Sequence, residues 1–401
     1  MSEKKSPLLV VFLTVMIDLI GFGIIVPILP LYAESFGASG LKIGLLMGIF
    51  SLMQLIFLPW WGRLSDRIGR RPVFLISITG NALSLLMCGF ATHYWALFAA
   101  RMFAGIFSSN ISVANAYVAD CTAPEDRARG MGKIGAARGI GFVLGPVFGG
   151  ILVQWGASAP FFGAAALAVV NLLSAARFLK ESLPVRGEDF QREDRSRRRM
   201  YRLVNSISGL KPLILMGIVQ IVAFSMLEMS FVLFTERRLD LSVAEAGTVA
   251  AALFVYLGVV IALIQGGLIG RLTRAYGERQ LVLVGLSLVS VGMLSITQTP
   301  QGSLLALLLF VGIVAMGQSL VSPSLSSLLS RATPGEHQGA VFGFYQSGLA
   351  LARTIGPPVA GVLFDVHENG PYLVGGVLMC LALVGAAGGF RGSARTVGAS
   401  V

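Results

Sequence analysis

Apolar runs of membrane-crossing length recur along the whole of this 401-residue chain. A bilayer core about 30 Å thick takes about 20 apolar residues of helix to cross. Twelve such runs are predicted, at roughly 8–33, 41–61, 73–92, 95–119, 131–155, 159–179, 212–235, 244–269, 280–298, 303–329, 339–364 and 371–390. Charged residues make up only 13% of the chain, against about 25% in a soluble domain. The expected fold class is an all-α polytopic membrane protein, because in hydrocarbon a helix satisfies its backbone donors and acceptors within one segment. The first run lacks a small-residue cleavage site and is expected to be a retained helix. Cys88, Cys121 and Cys380 are too few and too scattered for a disulfide framework or a zinc site, so no metal is expected.

A net charge of +11 would point to nucleic acid in a soluble protein; here its placement explains it. Lys and Arg gather in alternate loops and in the tails. Only Lys42, Arg237 and Arg238 fall on the opposite side, and Arg101, Arg138 and Arg353 fall inside spans. That asymmetry is the positive-inside pattern. An even number of spans puts both termini on one face, and Lys4, Lys5, Arg391 and Arg395 make that face the cytoplasm. Leu183 to Leu210 carries Arg-Ser-Arg-Arg-Arg at 195–199, diluted by Glu188, Asp189, Glu193 and Asp194, and reads as a solvated, inside-facing linker. The expected division is an N-terminal bundle over 1–182, a cytoplasmic linker over 183–211 and a C-terminal bundle over 212–401.

The loop Gly62-Arg63-Leu64-Ser65-Asp66-Arg67-Ile68-Gly69-Arg70-Arg71-Pro72 joins spans two and three. Its arginines place it on the cytoplasmic side; Ser65 and Asp66 suit helix capping, Gly69 a tight turn, and Pro72 the first turn of the next helix. The pattern G-x-L-S-D-R-x-G-R-R-P resembles the loop between helices 2 and 3 of the major facilitator superfamily of transporters. Gly270-Arg271-Leu272-Thr273-Arg274-Ala275-Tyr276-Gly277-Glu278-Arg279 repeats it at an offset of about 208, and the Gly-Pro region of span five is echoed by Gly356-Pro357 of span eleven. Two pseudo-symmetric six-helix bundles are therefore expected. The second loop reads as a degraded copy, with Arg274 in the place of Asp66 and Glu278 in that of Arg70.

Residues that cost energy in the membrane mark candidate sites. Asp18 in span one and Glu228 in span seven are buried acids; an ionised carboxylate at that depth costs about 3 kcal/mol. A group that alternates between ionised and neutral forms is what proton coupling requires, and a paired structural acid is the competing reading. Local alignment pairs Asp18 with Gln220 rather than with Glu228. Arg101 lies in Leu97-x3-Arg101-x3-Gly105, which resembles a superfamily motif whose arginine is implicated in proton transfer, with Ala104 where the family has glutamine. Each buried arginine needs an acid, a carbonyl or water as partner.

Span five contains Gly132-x8-Gly141-x3-Gly145-Pro146-x2-Gly149-Gly150, glycines on one helix face that let a neighbouring backbone come close. It resembles the superfamily's antiporter motif, found in exporters. In the family a carboxylate at the place of Asp120 pairs with the arginine at the place of Arg70; with Gly62, Ser65, Asp66, Arg67, Gly69 and Arg71 it would form a cytoplasmic latch, Asp66 capping helix eleven near Gln338 to Phe342. Gln54, Asn110, Asn115, Gln220, Gln318 and Gln346 are the amides available to line a cavity or to bridge helices.

Across nearly the whole chain the resemblance is to 12-helix drug:proton antiporters, and in particular to bacterial tetracycline efflux proteins. It rests on Pro27-Ile28-Leu29-Pro30 followed by Glu34-Ser35-Phe36-Gly37-Ala38-Ser39, on Pro59-Trp60 leading into the arginine loop, and on Leu233-Phe234-Thr235-Glu236. Ser84, Val289 and Ile261 stand where familiar tetracycline pumps carry two acids and a histidine; the helix-eight glutamine is kept as Gln265. The resemblance implies export of a small amphipathic molecule from the inner membrane in exchange for protons, by a monomer without cofactor. An importer of a nutrient is the alternative within carriers, and a non-transporting sensor lies outside them. His93, His337 and His367 sit at helix ends and no nucleotide-binding or nucleophile motif occurs, so an enzyme is not expected.

Overall fold

The computed structural model describes residues 6–122, 127–182, 209–334 and 337–397. The arginines at 195–199, Lys4 and Lys5 lie outside the described residues, as do the side chains of Arg138, Arg391 and Arg395. Every regular element among the described residues is helical. In order they are α1 (Ser6–Ile25), α2 (Leu29–Glu34), α3 (Gly40–Ile68), α4 (Arg70–Gly89), α5 (Tyr94–Phe107), α6 (Asn110–Cys121), α7 (Arg127–Leu152), α8 (Ala159–Phe178), α9 (Leu210–Leu239), α10 (Val243–Leu263), α11 (Ile269–Ile296), α12 (Leu304–Ala332), α13 (Gln338–Val366) and α14 (Gly370–Val397). One turn of π-helix, Ile264–Leu268, joins α10 to α11.

Ten helical stretches among the described residues are long and apolar enough to cross a membrane. One of them, Val243–Ile296, runs for 54 residues, about 80 Å of helix, which is more than two bilayer cores. It turns at Gly277 (φ 76°, ψ 157°) and so makes two crossings. The shorter apolar helix Leu9–Ile25, continued by α2, completes an arrangement consistent with twelve.

Two expected spans are broken. Span one stops at Ile25 and resumes at Leu29, because Pro27 and Pro30 withhold donors and restrict the residues before them. Span four divides into α5 and α6 at Ser108 and Ser109, where neither Gly nor Pro intervenes.

The chain divides into two compact units. Within the described residues the first falls in Met1–Phe190, Val232–Arg237 and Leu241–Val255, the second in Gln191–Phe231, Arg238–Asp240 and Tyr256–Val401. In the first unit α1 packs on α7 and α8, α4 on α8, and α3 on α5, around a core that includes Val15, Phe74, Ile78, Val113 and Tyr117. In the second, α11 packs on α12 and α14.

The α1–α7 contact shows what the span-five glycines do. A Cβ on Gly145 would lie 2.5 Å from the Cα of Gly23, one on Gly141 2.6 Å from the Leu19 Cβ, and one on Gly149 2.6 Å from the Ile24 carbonyl oxygen. At Gly145 and Gly149 the two backbones meet with no side chain between them. Gly150 approaches Ala251 of α10, whereas Gly132 faces open space and takes no part in this packing. Pro146 lies against Gly23, so the helix-breaking residue is itself part of the contact.

Candidate functional site

Five polar residues of the first unit line one cavity of about 30 Å³, space for one or two waters. Asp18, Asn81, Arg101, Ser108 and Asn110 supply its polar wall, and Gly21, Phe22, Ile25, Phe50 and Leu85 its apolar one. Asn81 Nδ2 donates to Asp18 Oδ1 at 3.0 Å, and Asn110 approaches the same carboxyl. Asp18 immediately precedes Leu19–Gly23, the segment pressed against the α7 glycines, so its position is set backbone to backbone.

Arg101 is 6% exposed and stacks its guanidinium over the Phe50 ring at 4.4 Å, a cation–π contact that offsets part of its desolvation. Its Nε has no hydrogen-bond partner. Asp18 and Arg101 thus line one cavity without forming an ion pair. In the second unit Glu228, half-buried on α9, feels the charge of Arg353 on α13.

The break between α5 and α6 is built into this cavity. A helix interrupted in hydrocarbon leaves carbonyls that must be satisfied by other groups. Here Trp61 Nε1 donates to the Ile106 carbonyl, Ser77 Oγ donates to that of Phe107, and Gln54 Nε2 donates to Ser108 at its carbonyl oxygen (3.4 Å) and its Oγ (3.0 Å). The Ser109 N–H and hydroxyl both reach Ser77 Oγ, at 3.2 and 3.0 Å. Asn110 then opens α6, its side chain in the cavity and its Oδ1 unpartnered. Gln54 therefore serves the break, not the cavity wall.

The other amides divide. Gln220 Nε2 donates to Gln318 Oε1 at 2.8 Å, tying α9 to α12. Asn115 is half-buried on α6, Gln346 is exposed on α13, and Gln265 is exposed on the π-helical turn.

A second polar cluster occupies the α3–α4 turn. Ser65 and Asp66 do not cap a helix: α3 runs on to Ile68, and Gly69 (φ 104°) alone makes the turn. Gly62, Asp66 and Arg67 lie in the last turns of α3, where Ser65 Oγ donates to the Gly62 carbonyl at 2.8 Å. Arg70 meets Asp66 at 2.6 Å and Asp120 at 3.0 Å, and donates to Ser65 Oγ at 2.6 Å. Glu181 supplies the cap that the turn residues do not: its carboxylate accepts from the Arg70 and Arg71 backbone N–H groups at 2.8 and 3.1 Å, as a helix N-terminus favours. Arg71 donates to the Ala176 carbonyl at 2.7 Å. Asn81, Ser77, Trp61 and Glu181 were not singled out from sequence. Asn81 was visible as an amide inside span three, and Glu181 as the first acid after span six.

The second unit corrects the expectation of a degraded copy. Glu278, at the place of Arg70, pairs with Arg331 at 2.7 Å and accepts from Ser327 Oγ at 3.1 Å. Arg331 stands about the same offset from Asp120 as Glu278 does from Arg70. The Arg70–Asp120 pair is kept there with its charges inverted, whereas Arg274, at the place of Asp66, donates to the Gly270 carbonyl at 3.2 Å.

A helical, multi-pass fold with a charged cavity inside one unit and ion pairs at its helix turns is that of an integral membrane protein. The sequence profile described as the Major Facilitator Superfamily matches residues 11–312 and 213–397, and the chain belongs to that family. It is 30% identical over 391 residues to multidrug resistance protein 2 of Bacillus subtilis (strain 168), covering 95% of this chain and 94% of that protein. It is also 30% identical over 400 residues to the class C tetracycline resistance protein of Escherichia coli, covering 95% and 96%. Among solved structures, the human organic anion transporter MFSD10 (TETRAN) matches with a TM-score of 0.68 at 27% identity, covering 96% of this chain and all of that one. The nucleoside transporter NupG matches in fold alone, with a TM-score of 0.77 at 13% identity and coverage of 98% and 99%.

Proposed function

We propose that this protein is a proton-coupled antiporter that exports a small amphipathic molecule across the cytoplasmic membrane, with both termini in the cytoplasm and two bundles joined through 183–211. The observation that carries this reading is Asp18, held by Asn81 in a water-sized cavity against the α7 glycine face. A carboxyl there is costly when ionised and cheaper when neutral, so its protonation can bias a two-state rearrangement. Arg101, in the same cavity, supplies a fixed positive charge against which that proton is exchanged. Glu228, beside Arg353, is a second titrating candidate. The pumps named for multidrug and tetracycline resistance support the direction of transport and the substrate class.

In this reading Asp66, Arg70 and Asp120 form the cytoplasmic latch. The carrier works as a monomer on the proton gradient, with no cofactor. Gln54, Gln220 and Gln318 act through helix architecture, Asn110 acts within the Asp18 cavity, and the exposed Gln265 and Gln346 are the amides free to meet a substrate.

The test is drug susceptibility in an efflux-deficient bacterial host, with a panel that includes tetracycline and lipophilic cations. Resistance to at least one compound is expected with the wild-type chain and not with Asp18→Asn at equal membrane levels. Equal resistance from both would end the assignment of Asp18.

A further inference from the structure

Resting on that reading, the cavity poses a charge problem that the proton on Asp18 does not solve: the Arg101 guanidinium stays in its wall after Asp18 is neutralised. Two positive elements meet at it: the buried Arg101 guanidinium with its unpartnered Nε, and the N-terminus of the twelve-residue helix α6, whose first residue, Asn110, lines the wall. A helix that starts inside a protein presents free N–H groups and the positive end of its dipole to whatever lies before it. Arg101 and Asn110 are 6% and 4% exposed, so water screens neither. When Asp18 is neutral, the cavity wall offers the guanidinium the Phe50 ring but no anion.

We propose that this cavity binds a compact monovalent anionic group against Arg101 and the N-terminus of α6, together with the proton on Asp18. A volume of about 30 Å³ admits a halide or the head of a carboxylate, not a drug-sized molecule, whose pockets run to several hundred Å³. The anion neutralises Arg101 in the proton-loaded carrier; ionised Asp18 does so in the proton-free one. Anion and proton therefore bind with positive linkage.

The charged and titratable side chains of the surrounding elements leave that pairing intact. Cys88 on α4 lies behind Arg101, and the Tyr117 hydroxyl of α6 is engaged with the Lys180 carbonyl. Asp120 and Cys121 end α6, Lys133 lies near the start of α7, Arg177 is in the last turn of α8, Lys42 lies near the start of α3 and Arg63, Asp66 and Arg67 near its end, Arg70 and Arg71 begin α4, and Tyr94 begins α5; none of them lines the cavity.

Thermal unfolding of the purified full chain in detergent tests this without requiring transport, so its failure is separate from that of the export reading. Chloride or benzoate replaces gluconate at constant ionic strength, over a pH series. A saturable rise in Tm with chloride, lost in Arg101→Gln and steeper at lower pH, assigns the site to a free ion. The same pattern with benzoate alone assigns it to a carboxylate carried by the transported molecule. Arg101→Lys, which keeps the charge but lacks Nε, covers the case in which Arg101→Gln does not fold, and should bind about tenfold more weakly. In Asp18→Asn the anion effect should not vary with pH. No saturable shift with either anion, an equal shift in Arg101→Lys, or an unchanged pH dependence in Asp18→Asn would overturn the proposal.

Discussion

The α3–α4 turn and the turn within α11 solve one geometric problem with opposite charges. Both reverse the chain on a single glycine held at positive φ, Gly69 at 104° and Gly277 at 76°. Both then lock the helix that follows with an ion pair to a helix end about fifty residues later, Arg70 to Asp120 in one and Glu278 to Arg331 in the other. The sign is free; the pairing is not. The surroundings differ. Arg70 and Asp120 have side-chain exposures of 9% and 22%, and Ser65, Asp66 and Glu181 close around them. Glu278 is covered, but its partner Arg331 is 70% exposed. A buried pair suffers more from losing one member than an exposed one does, so the first turn is the rigid one and the second the tolerant one.

The largest effect should come from Arg70→Ala, which strands Asp120 and Asp66. Thermal or denaturant unfolding in detergent should show a loss of about 2–3 kcal/mol, that of charge-assisted hydrogen bonds whose carboxylates keep some access to water, and a near-neutral result would erase the distinction between the turns. Next come Gly69→Ala and Gly277→Ala. Each places a Cβ in a backbone region almost confined to glycine, at about 1–3 kcal/mol. Gly69→Ala should cost more, because its Cβ would fall 2.4 Å from a Glu181 carboxylate oxygen while Gly277 faces open space. Equal losses would mean that the Glu181 cap is unimportant.

Glu278→Gln should cost only about 1 kcal/mol, since its partner is exposed to water. The smallest change is expected from writing the second turn's charges into the first as Asp66→Arg with Arg70→Glu and Asp120→Arg. That triple variant should recover most of the stability lost in Arg70→Glu alone, and a failure to recover would show that the sign does matter there.

Much of this fold was legible because hydrocarbon imposes it. Span lengths, the arginine loops, the role of Gly69 as a turn and the internal repeat all follow from hydropathy and local chemistry. The break at Ser108 and Ser109 was not, because its causes are Gln54, Trp61 and Ser77, which lie far away in sequence and carry no mark of a helix interruption. Glu181 was missed for the same reason: it caps a helix that begins 111 residues earlier. Arg274 and Glu278, seen alone, suggested decay; Arg331 reveals the inversion. At the cavity, Asp18 and Arg101 were found by their cost in the membrane, whereas Asn81 and Phe50, which hold them, lack a charge and so gave no such signal.

Proton release from inverted membrane vesicles tests the central claim most directly. Vesicles energised to an acid interior are given the compound to which the chain confers resistance, and the internal pH is followed by a fluorescent dye. Coupled export through Asp18 predicts a saturable collapse of the pH gradient with wild-type protein and none with Asp18→Asn at equal membrane levels. A gradient that stays intact with the wild type while labelled compound still accumulates in the vesicles, or one that collapses equally with Asp18→Asn, would contradict it.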